Sequence, residues 1–93
     1  MISRERLDEI LDDDNDSKIV LSDDVDTKYE TVKLLRKRIP YDVCGRIIGG
    51  ADHDIVYLPD VDEVLEYLSE DEVEMLNAYG VFVHDGDCLA MFV

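Results

Sequence analysis

Near its end the chain reads Val81-Phe82-Val83-His84, then Asp85-Gly86, then Asp87-Cys88-Leu89-Ala90-Met91-Phe92-Val93. An Asp-Gly step between apolar runs supplies two residues that tolerate positive φ, which a tight hairpin turn requires. The pattern therefore predicts a C-terminal β-hairpin. With His84 opposite Asp87, Val81, Val83, Cys88, Ala90 and Phe92 share one face, and Phe82, Leu89, Met91 and Val93 share the other. Both faces are then apolar. Such a hairpin belongs at the centre of a helix-covered sheet, the favoured reading, or lends one face to a homodimer.

Helix punctuation fills most of the remaining chain. Ser3 is placed as an N-cap, with Ile2 and Leu7 as a hydrophobic staple, and Leu7, Ile10 and Leu11 form one stripe. The run Asp12-Asp13-Asp14-Asn15-Asp16 ends that helix, because acids sit badly against a helix C-terminus. Lys18 to Leu21 reads as a short strand and Ser22 to Asp26 as an acidic loop. Thr27 with Glu30 is a capping box opening a second helix, carried by Val32, Leu35 and Ile39 until Pro40 stops it.

Val43 to Ile48 and Ile55 to Leu58 are β-rich runs, joined through the longer loop Gly49 to Asp54. Asp60 with Glu63, and Ser69 with Glu72, are two further capped helix starts, so residues 61–79 hold two short helices or one kinked one. The sum is a small single α+β domain over residues 1–93. It has three to four helices packed on a mostly antiparallel sheet of four to five short strands. With 46% hydrophobic residues the chain can bury enough apolar surface to offset its conformational entropy.

Charge is the feature that points toward function. The formal net charge is −15, and it is unevenly placed. Residues 1–46 hold all nine Lys and Arg against twelve acids, whereas residues 47–93 hold twelve acids and no Lys or Arg. An ordinary surface intersperses the two signs, because self-repulsion destabilises the compact state. A stretch without one cation keeps that repulsion, and a partner's Lys and Arg would relieve it.

In the helical segment 60–74, Asp62, Glu63, Glu66, Glu70, Asp71, Glu72 and Glu74 lie opposite the apolar stripe, with Asp60 at its capped start. Helical neighbours three or four apart sit about 5–6 Å from one another, a spacing that resembles a row of backbone phosphates. They are the candidate partner-binding residues. The bland alternative is the solvated face of amphipathic helices.

Other constellations are weaker. Asp12, Asp14, Asp16 and Asp23 fall at the first, third, fifth and twelfth positions of a calcium loop, with Ile19 at the eighth. Ser17 stands where glycine is needed, and Asp23 is shorter than the usual bidentate Glu, so a helix-terminating loop is the better reading. His53 and His84 sit beside aspartates and read as turn residues. Cys44 and Cys88 form no CxxC pair and read as reduced core residues. Gly49-Gly50 lacks the features of a phosphate loop, and no nucleophile has a recognisable base, so neither an enzyme nor a cofactor is expected.

The basic cluster Lys33, Arg36, Lys37 and Arg38 on the second helix is expected to pair with the chain's own acids. Direct nucleic-acid binding is opposed by the net charge. With no apolar run long enough for a membrane span and a charged N-terminus, an intracellular, cytoplasmic protein is expected. The leading expectation is an inhibitor of the nucleic-acid-mimic type, such as a phage antagonist of a host defence nuclease, occupying a basic site on a partner protein. An immunity protein or antitoxin against a nuclease toxin shares the same physics. Adaptation to high salt and a calcium-responsive module are the remaining alternatives.

Overall fold

A computed structural model describes residues 2–12, 19, 21–52 and 54–92. The described residues form four helices and one four-stranded antiparallel sheet, in the order α1 (Arg4–Ile10), α2 (Thr27–Arg38), β1 (Gly50–Asp52), β2 (Ile55–Asp60), α3 (Val61–Tyr67), α4 (Glu70–Ala78), β3 (Val81–His84) and β4 (Cys88–Phe92). The strand order is β1-β2-β4-β3. This is the α+β architecture expected, with the C-terminal hairpin in place.

Local chemistry sets the helix limits. Ser3 caps α1 by accepting from the Arg6 N–H at 3.1 Å, and Ile2, Leu7 and Ile10 are buried. The start of α2 differs by one residue from the expected box. Asp26 is the N-cap and accepts from the Tyr29 N–H at 3.1 Å, leaving Thr27 as the first helical residue and Glu30 one position too late to close a box. Aspartate is as good a cap as threonine, so nothing opposes the shift. Ile39, in extended conformation before Pro40, ends the helix.

The expected strand over 43–48 is absent. Val43 and Cys44 both donate their N–H groups to the Pro40 carbonyl, at 3.1 and 3.0 Å, and the Cys44 carbonyl accepts from Arg36 Nη2 at 2.6 Å. Those backbone groups are taken up by a turn and cannot join a ladder. Only Ile47 of this run is buried. The strand forms later, with Gly50 opposite Tyr57 and Asp52 opposite Ile55, so the expected loop shrinks to residues 53 and 54. The strand predicted over Lys18 to Leu21 lies largely outside the described residues, and Ile19 and Leu21 belong to no strand.

In the C-terminal hairpin, His84 faces Cys88 rather than Asp87. Asp85 (φ 53°) and Gly86 (φ 75°) make the turn, and Asp87 donates to the His84 carbonyl at 3.2 Å. The Asp87 carbonyl is diverted to the Val61 N–H at 3.0 Å, which holds the residue out of the ladder. One residue of slip exchanges the faces. Val81, Val83, Leu89 and Met91 point inward together, while Phe82, His84, Cys88, Ala90 and Phe92 share the opposite face.

A single buried cluster joins Val56, Leu58, Val81, Leu89 and Met91 of the inner face to Leu7 and Ile10 of α1, Leu35 of α2, Val61 and Val64 of α3, and Val73 and Leu76 of α4. Between β2 and β4 the register shifts past Tyr57, where Pro59 has no N–H to offer. Strand β4 is central and β3 is an edge, so only half of the hairpin takes the central place expected. Among the described residues no helix is long and apolar enough to cross a membrane.

Candidate interaction surface

The eight acids singled out do not form one row. Leu68 (ψ 149°) and Ser69 (φ −88°, ψ 168°) are extended, so α3 and α4 are separate helices and the three-and-four spacing is cut between Glu66 and Glu70. Asp60, at the end of β2 and the head of α3, is exposed, as are Asp62, Glu66 and Asp71. These four make no ion pair among the described residues.

The other four are engaged. Arg6 of α1 pairs with Glu70 and lies 3.7 Å from Glu74, so one cation from the first half covers two acids of the second. Glu72 closes the capping box with Ser69 and also pairs with Arg38 of α2. Burial works to raise its pKa, but the Ser69 N–H, Arg38 and the Ser69 hydroxyl outweigh it, and the carboxyl sits below the usual glutamate range.

Glu63 is half-buried. Burial first, and the Asp60 carboxylate second, push its pKa up; the Cys44 thiol works the other way, although it donates to the Arg46 carbonyl at 2.9 Å. Its Oε2 is buried without a hydrogen-bond partner among the described residues. This residue lies against Cys44 of the Pro40–Ile47 turn.

Sheet pairing adds acids that a linear reading missed. Because Asp60 pairs with Cys88, and the Asp87 carbonyl accepts from Val61, the hairpin turn is brought beside the head of α3. Asp85 and Asp87, both exposed, therefore join Asp60 and Asp62 at one end of the sheet. Their only sequence signal is that they flank Gly86; the β2–β4 pairing that delivers them is non-local. Arg4 approaches this end, donating to the Gly86 carbonyl at 2.8 Å, but its ion pair is with Asp8.

The basic cluster of α2 is only partly neutralised internally. Arg38 pairs with Glu72, whereas Arg36 binds the Cys44 carbonyl and stacks 3.9 Å from the Tyr41 ring centroid. Lys33 lies over the Tyr29 ring at 5.8 Å, and Lys37 is exposed.

Of the calcium-loop residues, Asp14 and Asp16 lie outside the described residues, and Asp12 and Asp23 are exposed; no group of three metal-ligating side chains occurs among the described residues. His53 also lies outside them. His84 sits 3.3 Å from Asp85 and against the Tyr57 ring, at 5.3 Å between centroids, opposite Cys88.

Both cysteines are free and half-buried. Cys44 packs against the core as expected, but the changed hairpin register turns Cys88 away from it, onto the outer sheet face. Burial first, then Asp60, Asp87 and Asp85, push the Cys88 thiol up, which is the wrong environment for a thiolate nucleophile.

Compared with protein-family models, with curated proteins and with solved structures, the chain shows no match to any of the three.

Proposed function

We propose that this protein is a small acidic binding module that occupies a basic, nucleic-acid-binding site on a partner protein in the cytoplasm. One observation carries the reading. Asp60, Asp62, Glu66 and Asp71 are exposed and without ion pairs among the described residues, in a half of the chain that contains no Lys or Arg. Among the described residues, the first half supplies Arg6 and Arg38 to three neighbouring acids and none of its cations to these four. A nuclease or other protein that grips phosphates with Lys and Arg offers the complementary charge. Phage-encoded inhibition of a host nuclease and immunity against a nuclease toxin are two settings for the same contact.

The ion pairs select the variants for the test. Reversing Glu70 or Glu74 would also unpair Arg6, whereas Asp62, Glu66 and Asp71 can be reversed without breaking an internal bridge. The partner is captured from the native host at low salt and eluted by raising salt. The triple variant Asp62→Lys, Glu66→Lys, Asp71→Lys, with unchanged circular dichroism, is expected to lose at least about tenfold in affinity for that partner, or roughly 1.4 kcal/mol. A folded triple variant that binds as tightly as the parent would sink the proposal.

A further inference from the structure

The sheet has one face in the core and, among the described residues, no element packed on the other. Ile55, Tyr57, Phe82, Cys88 and Phe92 lie on the outer face, and none belongs to the buried core cluster. Phe92 is 64% exposed, although its ring packs 5.0 Å from that of Phe82. In a chain where 35% of residues are charged, these central positions carry no formal charge at all.

The perimeter is different. Asp54 stands at the β1–β2 turn, and Asp60, Asp85 and Asp87 stand at the opposite end; all four are exposed. Every strand and both hairpin turns lie within residues 50–92, which contain no Lys or Arg. An apolar centre inside a polar rim is the usual anatomy of an interface between proteins. Here the strands and turns supply only acids to it, although Arg4 of α1 comes in at the Gly86 end.

Size then decides between occupants. Four strands about 4.8 Å apart and roughly five residues long give an apolar centre of about 300 Å². A stable interface covers about 800 Å² on each partner, so the rim must take part. Were a second copy to sit on this face, two-fold symmetry would set the same acidic rim against itself. A partner whose own apolar patch is ringed by Lys and Arg would meet it with opposite charge.

We propose that the open sheet face, centred on Phe82 and Phe92, is the docking surface for a partner protein whose exposed apolar patch is ringed by Lys and Arg. The proposal rests on the binding reading above and locates its centre on the sheet. It accounts for the apolar outer face of the hairpin and for the missing cations of the second half together.

The probes are two synthetic peptides of equal length and charge, one alternating Lys with Leu and the other Lys with Ser. Each is titrated into isotopically labelled full-length protein, and amide shifts are followed. The Lys/Leu peptide is expected to bind about tenfold tighter, with shifts concentrated on Tyr57, Phe82, Ala90 and Phe92. Phe92→Ser, with its fold checked by an unchanged amide spectrum away from Phe82 and Ile55, is expected to reduce its affinity to that of the Lys/Ser peptide.

Equal affinities, with shifts confined to Asp62, Glu66 and Asp71, would overturn the docking face and leave the anionic reading standing. Binding of neither peptide would overturn both. Self-association that strengthens as salt screens the rim would also overturn it, because a second copy would then occupy the face.

Discussion

The heads of α3 and α4 carry the same signature and build different structures. Asp60 with Glu63, and Ser69 with Glu72, each place a capping side chain three residues before a glutamate. At α4 both halves of the box form: Ser69 Oγ accepts from the Glu72 N–H at 3.3 Å, and Glu72 Oε1 accepts from the Ser69 N–H at 2.9 Å. At α3 neither forms. Ser69 lies between two helices with its backbone uncommitted, whereas Asp60 is the last residue of β2, paired with Cys88 in the ladder. A cap needs a backbone free to turn toward it. Where a strand runs directly into a helix, the sheet fixes that backbone first, and Asp60 stays exposed while Glu63 is half-buried.

The largest expected effect is loss of the working box. Replacing Ser69 and Glu72 together by Ala removes two reciprocal hydrogen bonds and the Arg38 contact. It is expected to cost about 2 kcal/mol in urea unfolding, most of it from the cap. The matching replacement of Asp60 and Glu63 is expected to cost far less, and equal losses at the two heads would contradict the contrast.

The two glutamates also titrate in opposite senses. Glu72 has a depressed folded pKa, so its stabilisation is present above the ordinary glutamate pKa and is lost as pH falls through the folded value. Glu72→Gln keeps an acceptor for the Ser69 N–H but loses the charge opposite Arg38. The expected cost is about 0.5–1 kcal/mol at pH 7, shrinking toward zero in acid.

Glu63 has a raised folded pKa, so its favourable contribution is full below the ordinary value and is lost as pH rises through the folded one. Glu63→Gln is expected to gain less than about 1 kcal/mol at pH 7 and nothing at low pH. Unfolding curves of the two variants across that range check both signs. A loss of stability for Glu63→Gln at neutral pH would contradict its placement.

The same division explains what could be read in the chain. Ser3, Pro40, Ser69 with Glu72, and Asp85-Gly86 act within a few residues of themselves, and each appears where its local chemistry puts it. Features decided by distant partners were not legible. The Val43–Ile48 run is β-rich but loses its carbonyl and amides to Arg36 and Pro40. The hairpin register slips because Asp87 answers to Val61, and that slip decides which apolar side chains the outer face carries. In the acidic row, charge was legible, and so was pairing by the basic helix, which Arg38 supplies to Glu72; which acids would be covered was not, since Arg6 reaches Glu70 and Glu74 only across the fold.

The smallest effect is the sharpest probe of why α3 leaves its cap unmade. Asp60→Ala removes no cap hydrogen bond, so the usual loss of about 1 kcal/mol should be missing. Two smaller terms remain. A carboxylate at a helix N-terminus stabilises the dipole by a few tenths of a kcal/mol, while the same carboxylate repels Glu63. They oppose each other, and the expected net change is below about 0.5 kcal/mol. In a Glu63→Gln background the repulsion is gone and only the dipole loss survives, so Asp60→Ala should become more destabilising there than in the parent. A double-mutant cycle measures that coupling; a coupling of the other sign would mean that Asp60 supports Glu63 instead of repelling it, and α3 would then be capped by a route different from the one its backbone shows.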